Sequence, residues 1–167
     1  WGVKESPANT AWVLQTEEAV KHYVKARFLP LIERQESLQE YLPDTRNDAT
    51  ELFVKFKTMA LTFRGTNSRG GLKSNAFQRV VFDEADEATP GSLEKIWKRM
   101  TSFANPQLFI LGTPENDTGI TFREYLAGSQ THFHIACPAC QHRQPIRWGR
   151  SATPVFPMAR ECGGFVW

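Results

Sequence analysis

Two acidic residues, Asp83 and Glu84, follow directly after the short apolar run 80–82. An apolar run that ends abruptly in charge is typical of a central strand in a parallel sheet, and such sheets carry their chemistry just beyond the carboxyl ends of the strands. There, Asp83 can hold a magnesium ion, usually through water, and Glu84 can polarise a water molecule for attack on a γ-phosphate. The same run also fits a strand followed by an acidic helix start, because carboxylates favour helix N-termini.

A second apolar run, residues 108–111, ends in the motif Gly112-Thr113-Pro114. A threonine hydroxyl at a strand tip can sense a bound phosphate and pass the signal on. An ordinary turn is the alternative, since Gly and Pro are common in turns of all proteins. The position of this motif, one helix after the acidic run, favours half of a nucleotide-hydrolase core.

The remaining pattern predicts the elements that must position these residues. Thr16 is the expected N-cap of a helix that runs to about Glu36, with a kink or break at Pro30. A helix over 93–103 should turn Ile96, Trp97 and Met100 to one side. Further strands are predicted at 11–15, within 52–58, at 59–64 and at 132–136, with a loop at 65–72 and a short helix at 122–126. Strands that alternate with helices indicate an α/β fold with a mainly parallel sheet.

Composition is that of a globular chain of 167 residues, 41% hydrophobic and with a net charge of +2. This charge excludes a generally basic nucleic-acid binder, so any such surface must be local. No apolar run approaches the roughly 18 residues that span a bilayer, and no signal peptide opens the sequence. Three cysteines, two of them closely paired, argue against a secreted disulfide scaffold and favour a reducing cytoplasm.

An ordered series of segments resembles the ATPase domain of the lambda-type bacteriophage terminase large subunit. The segments, spread over about residues 11–148, are 12–19, 28–32, 65–72, 81–86, 111–114, 119–120, 123–128, 133–140 and Trp148. The resemblance implies a P-loop NTPase-type centre that uses ATP and Mg²⁺ to move double-stranded DNA into procapsids. It also implies a nuclease domain further along the chain, a terminase small subunit and a capsid portal as partners, and the host cell cytoplasm as location.

Carried over to this sequence, the resemblance makes Glu84 the catalytic carboxylate and Asp83 the magnesium-associated acid. Gly112, Thr113 and Pro114 would form the motif that couples hydrolysis to movement.

The same resemblance suggests contacts to phosphate or DNA in and near the 65–72 loop. Asn67, Arg69 and Arg79 are the candidates, and solvated surface arginines are the alternative for the last two.

No G-x-x-x-x-G-K-[ST] phosphate-binding loop occurs in the sequence. The nearest feature, residues 70–74, follows no apolar strand of the right kind, and the family has its loop upstream of Trp1. We therefore expect residues 1–136 to form a partial ATPase core that lacks its N-terminal phosphate-loop unit. Such a fragment, a monomer by itself, should hydrolyse ATP poorly or not at all, since the loop and its lysine supply most of the grip on the β- and γ-phosphates.

A short cysteine-containing extension, residues 137–167, completes the predicted organisation. Cys137 and Cys140 have the spacing of a zinc-ribbon knuckle, and Cys162 is a third candidate ligand, but Phe165 stands where the fourth thiolate belongs. His142, or else His132 or His134, would have to complete a Zn²⁺ site; a free cysteine pair is the alternative.

From residue 141 to 160 the sequence has four arginines and no acids, with Trp148 among them. This stretch predicts either contact with DNA phosphates or a solvated tail, and residues 149–167 are expected to be disordered or badly packed.

Two other functions compete with the packaging motor. One is a helicase-like ATPase fragment, which shares the Asp-Glu-Ala-Asp run; no helicase arginine motif follows here. The other is a non-enzymatic, zinc-stabilised module that binds nucleic acid, which bound zinc without nucleotide binding would favour.

Overall fold

A computed structural model describes residues 1–42, 49–50, 52–68, 75–114, 116–136 and 141–145. The chain divides into two compact units, Trp1–Glu124 and Tyr125–Trp167. The boundary predicted from the sequence, after residue 136, lies inside the second unit.

A six-stranded sheet organises the first unit in the order β2-β3-β4-β1-β5-β6. Its strands are β1 (Thr10–Leu14), β2 (Ala49–Thr50), β3 (Phe53–Lys55), β4 (Ala60–Gly65), β5 (Arg79–Phe82) and β6 (Gln107–Ile110). The four strands β4, β1, β5 and β6 run parallel to one another. The strand β3 pairs antiparallel with β4 on one side and with β2 on the other. The α/β fold with a mainly parallel sheet is therefore confirmed, and β3 and β4 form a hairpin.

The register of the parallel strands aligns their carboxyl ends. Leu14 of β1 pairs with Gly65 of β4, and Val13 pairs with Phe82 of β5. Phe82 in turn pairs with Ile110 of β6. Four strands thus end at one edge of the sheet, and the loop after each of them begins there.

Helices flank the sheet. They are α1 (Glu17–Tyr23), α2 (Leu29–Arg34), α3 (Glu36–Gln39), α4 (Ser92–Met100) and α5 (Ile120–Ala127). Thr16 is the N-cap of α1, as predicted, because its hydroxyl accepts a hydrogen bond from the Ala19 N–H at 3.1 Å.

The predicted break at Pro30 takes the form of a change in helix type. A π-helix, Val24–Phe28, joins α1 to α2, and Pro30 lies in the first turn of α2. Proline has no N–H for the bond that an α-helix would make one turn back, and π-segments absorb such interruptions. The chain remains helical to Arg34 instead of ending at the proline.

One face of the sheet packs against α4 in a core that includes Val13, Phe82, Ile96 and Met100. Ile96 and Met100 point inward as predicted. Trp97 does not, since 43% of its surface is exposed. A strong helical pattern does not distinguish a tryptophan at the margin of a core stripe from one inside it.

The opposite face of β1 and β4 is covered by α1, the π-helix and α2 in a second core. Phe63 of β4 is fully buried there, in an edge-to-face contact with Phe28 at 4.8 Å between ring centroids. This packing holds α1, and thus the loop before it, against the carboxyl end of the sheet.

Tyr125–Trp167, the second unit, contains a small antiparallel pair, β7 (His134–Ala136) and β8 (Arg143–Pro145). His132 precedes β7 and its Nε2 lies 3.0 Å from the hydroxyl of Tyr125. The predicted strand over 132–136 is therefore shorter than expected. Among the described residues, no helix is long and apolar enough to cross a membrane.

Candidate functional site

Asp83 follows β5 at the aligned edge, and neighbouring groups fix its carboxylate. Oδ2 accepts a hydrogen bond from the Trp12 indole Nε1 at 3.3 Å, and Oδ1 accepts one from the Glu84 N–H at 3.2 Å. The Asp83 N–H itself donates to the Val13 carbonyl at 2.9 Å. Burial raises the pKa of Tyr23, and the negative charge of Asp83 raises it further.

Glu84 has an unusual backbone conformation for a residue with a side chain. Its φ and ψ are both 50°, in the left-handed region, and its side chain is exposed. This conformation costs about 1–2 kcal/mol in a residue other than glycine. Such strain tends to collect at functional sites, where the surrounding structure enforces it. The bend directs the chain from β5 into a 3-10 helix, Ala85–Glu87.

The loop after β6 begins beside this acidic segment. The Leu111 N–H donates to the Phe82 carbonyl at 2.8 Å, and the Ala85 N–H donates to the Leu111 carbonyl at 3.0 Å. The next residues, Gly112, Thr113 and Pro114, are exposed. The structure thus brings the two sequence motifs to adjacent strand tips.

The tips of β1 and β4 form the other half of the edge. Thr66 donates its hydroxyl to the Gln15 carbonyl at 2.7 Å, and its Oγ1 accepts from the Thr89 N–H at 3.2 Å. Asn67 Oδ1 accepts from the Glu17 N–H at 3.1 Å, so its amide oxygen holds the start of α1. Arg69 lies outside the described residues.

Arg79 lies at the other end of β5. Its side chain is buried and donates to Ser6 Oγ and the Ser6 carbonyl at 2.9 and 3.0 Å, and to Gln107 Oε1 at 2.9 Å. The guanidinium also stacks over Trp1. These contacts hold it in the fold, and we leave Arg79 out of the proposed site.

Gln15 and Asp86 belong to this edge but were not among the predicted site residues. Gln15 donates to Glu87 Oε2 at 3.3 Å, while its own Oε1 is buried without a partner in the described structure. Asp86 binds the start of α5. Gln15 carries no sequence signal, whereas the position of Asp86 at the end of the Asp-Glu-Ala-Asp run is one.

The donor set suits magnesium. Magnesium in nucleotide sites takes one or two carboxylates, with phosphates and water as its other ligands. Asp83 supplies a fixed, half-buried carboxylate, and Glu84 an exposed one. Among the described residues, no three or more His, Cys, Asp or Glu side chains come together as a metal-binding group.

The zinc prediction falls mainly outside the described residues, because Cys137, Cys140 and Cys162 are not among them. His142 is described and exposed. Zinc binding therefore stays a prediction.

A cavity of about 440 Å³ lies on the face of the sheet, bordered by Trp12, Val81, Phe109 and Leu111 among others. Its lining is almost wholly apolar, with Arg79 as the charged member. A cavity of this character does not suit a triphosphate, so the strand-tip edge is the better candidate for nucleotide chemistry.

Solved structures of phage terminases share this fold. The HK97 bacteriophage large terminase superposes with a TM-score of 0.58 at 11% identity, over 72% of this chain and 26% of that one. The Thermus phage P74-26 large terminase ATPase domain gives 0.56 at 15%, over 87% and 63%. The large terminase of a thermophilic bacteriophage, in complex with ATP-gamma-S, gives 0.52 at 17%, over 74% and 29%. The chain thus spans less than two thirds of each of these proteins.

No curated protein sequence matches the chain significantly. The family model for the phage terminase large subunit gpA ATPase domain matches residues 2–161, nearly the whole sequence. The match covers the motif segments, which lie within about residues 11–148, and the residues between them. On this basis the protein belongs to the phage terminase large subunit gpA family of ATPase domains.

Proposed function

We propose that this chain supplies the acidic half of the ATPase centre of a phage DNA-packaging motor. The observation that carries the proposal is the pairing of Asp83 and Glu84 at the carboxyl edge of a parallel sheet, with Glu84 exposed and held in a left-handed conformation. The family membership supports it, as does the ATP-gamma-S complex of a terminase with the same fold. A helicase-like ATPase has no comparable support.

In the proposed reaction, Glu84 orients a water molecule and accepts its proton as the water oxygen attacks the γ-phosphorus of ATP. The bond to the β–γ bridging oxygen breaks, and ADP and phosphate leave. Asp83 would hold Mg²⁺, which neutralises the charge that develops on the phosphate oxygens. The hydrogen bond from Trp12 keeps the Asp83 carboxylate turned toward the edge.

Thr113 would sense the γ-phosphate from the tip of β6. The backbone bonds between Phe82, Leu111 and Ala85 tie this loop to the acidic segment, so a shift of one moves the other. This connection is the proposed route from hydrolysis to the movement of double-stranded DNA. Asn67 and Arg69 are proposed contacts to phosphate or DNA in the loop after β4.

In this proposal the phosphate-binding loop comes from a segment outside residues 1–167, since these residues contain no G-x-x-x-x-G-K-[ST] sequence. Residues 1–167 alone would then be inactive. For the whole protein, we propose a nuclease domain further along the chain and the terminase small subunit and capsid portal as partners. Its place of action would be the host cell cytoplasm.

Steady-state ATP hydrolysis by the full-length protein tests this assignment. The Glu84→Gln change keeps the side-chain size but removes the base, and we expect a fall in kcat of at least about 100-fold, the scale of general-base catalysis. Glu87→Gln, three residues further on, is the matched control and should leave kcat within about twofold, since in the described structure the Glu87 carboxylate accepts a bond from Gln15 and is given no part in the reaction. Equal rates for Glu84→Gln and the wild type would refute the proposed role.

A further inference from the structure

Asp86 binds the beginning of α5 from a neighbouring segment. Its Oδ1 accepts a hydrogen bond from the Thr121 N–H at 3.2 Å, in the first turn of the helix. Gly119 occupies the position before α5, where its carbonyl accepts from the Arg123 N–H at 3.1 Å, but it has no side chain to cap the helix. Helix starts need a partner for their free N–H groups, and an oxygen-bearing side chain usually supplies it. Here Asp86 does so.

Two glycines allow this contact by letting the chain approach closely. A Cβ on Gly119 would overlap Asp86 Oδ1, so any larger residue would displace the carboxylate. A Cβ on Gly112 would lie 2.9 Å from Thr121 Oγ1 and 3.5 Å from Asp86 Oδ2. Gly112 and Gly119 are the two ends of the loop that carries Thr113. Asp86 therefore lies against both ends of that loop.

Two buried oxygens in this contact lack a hydrogen-bond partner within the described structure. They are Asp86 Oδ2 and Thr121 Oγ1, and both lie beside Gly112. Buried polar atoms almost always have a partner, so two unpartnered atoms at one place call for an explanation. A threonine hydroxyl donates and a carboxylate oxygen accepts. Asp86 Oδ2 and Thr121 Oγ1 are therefore a complementary acceptor and donor beside Gly112.

We propose that Asp86 is a positioning residue for hydrolysis, an inference that rests on the proposed function. It fixes both ends of the 112–119 loop to the segment that begins with Glu84, and so sets where Thr113 stands relative to the acidic pair. Its effect is expected on the rate of the chemical step rather than on nucleotide affinity. Misplacement of a reacting group by about 1 Å can cost about 100-fold in rate, so a modest loosening of this loop is enough to matter.

The test uses full-length protein with Asp86→Ala, Asp86→Asn and the control Asp117→Ala, an exposed acid in the same loop. We expect Asp86→Ala to lower kcat by about tenfold or more while KM for ATP stays within about threefold. Asp86→Asn keeps one oxygen that can accept from Thr121 and should recover part of the rate. Asp117→Ala should match the wild type. Hydrogen exchange of the amides in residues 119–124 provides a readout that does not depend on turnover, and we expect faster exchange in Asp86→Ala alone.

Several outcomes separate this inference from the proposed function. If Glu84→Gln is inactive but Asp86→Ala retains wild-type kcat, the positioning role is wrong and the catalytic assignment survives. If Asp86→Ala raises KM and leaves kcat unchanged, Asp86 acts in binding and the inference is also overturned. If hydrolysis is indifferent to Glu84, the proposed function fails, and unchanged exchange at 119–124 would then show that the Asp86 contact is absent as well.

Discussion

The indole of Trp12 and the carboxylate of Asp83 are joined by a hydrogen bond of 3.3 Å between neighbouring strands. Trp12 also stacks on Tyr23 of α1, with 5.4 Å between ring centroids. A single aromatic side chain therefore connects the helix that covers the sheet to the acid that we assign to magnesium.

Trp12→Phe should isolate the contribution of this bond, because phenylalanine keeps a ring against Tyr23 and loses the N–H. We expect the free energy of unfolding to fall by about 1 kcal/mol, the usual net value of one hydrogen bond. Chemical denaturation measures the change. In an Asp83→Ala background the same substitution should cost distinctly less, and additive costs would mean that the bond does not form in solution.

Gly65 should not tolerate a side chain, although its conformation is ordinary for a strand. An added Cβ would lie 2.5 Å from the Thr16 carbonyl carbon and would also overlap the backbone of Glu17. Backbone atoms cannot move aside cheaply, so Gly65→Ala should cost more than about 2 kcal/mol of stability.

Gly91→Ala is the comparison for Gly65, because Gly91 has a φ of 76° but a Cβ there would meet only Glu94 Oε2, at an ordinary contact distance of 3.9 Å. Its cost should be limited to about 1–2 kcal/mol, the penalty for a left-handed residue. Thermal or chemical unfolding of both variants decides the order. A smaller loss for Gly65→Ala than for Gly91→Ala would contradict the close packing of β4 against the start of α1.

The hydroxyl of Thr66 should contribute to stability, because its hydrogen bond to the Gln15 carbonyl links the carboxyl ends of β4 and β1. Thr66→Val keeps the shape but leaves the Gln15 carbonyl and the Thr89 N–H without their partner. We expect a loss of about 2 kcal/mol, the cost of leaving buried polar groups unpaired. Thr66→Ser retains the hydroxyl and should lose much less. Equal losses for the two variants would contradict this, because removal of the hydroxyl would then cost no more than removal of the methyl group.

Gly119→Ala should destabilise the protein through Asp86. The new methyl group would force the carboxylate off the Thr121 N–H, so we expect a loss of about 1–2 kcal/mol. With Asp86→Ala in the same chain, the obstacle is gone and the second substitution should cost little. A double-mutant cycle in chemical denaturation measures this coupling. No coupling between positions 86 and 119 would mean that the two residues do not meet.

Local patterns were sufficient to predict much of this fold. The apolar runs at β1, β5 and β6, and the cap at Thr16, carry their signals within a few residues, and the structure confirms them. The arrival of Asp83 and the Gly112 motif at adjacent tips also follows from the general rule for parallel sheets.

The remaining features depend on contacts between distant parts of the chain. Nothing in the pattern distinguishes Arg79, buried against Ser6, from an arginine on the surface. The exposure of Trp97 depends on where the core ends, and the role of Asp86 depends on the close approach of Gly119. Both are set by the packing of α4 and α5, which sequence periodicity does not specify.

Magnesium-dependent ATP hydrolysis tests the central claim most directly. The comparison is between residues 1–167 and a version extended at the amino end to include a phosphate-binding loop, each with Glu84 or with glutamine in its place. We predict that only the extended protein with Glu84 turns over, because catalysis needs both the phosphate cradle and the acidic pair. An extended protein that is inert, or that hydrolyses ATP equally well with glutamine at position 84, would contradict the assignment and leave the acidic strand with a structural role.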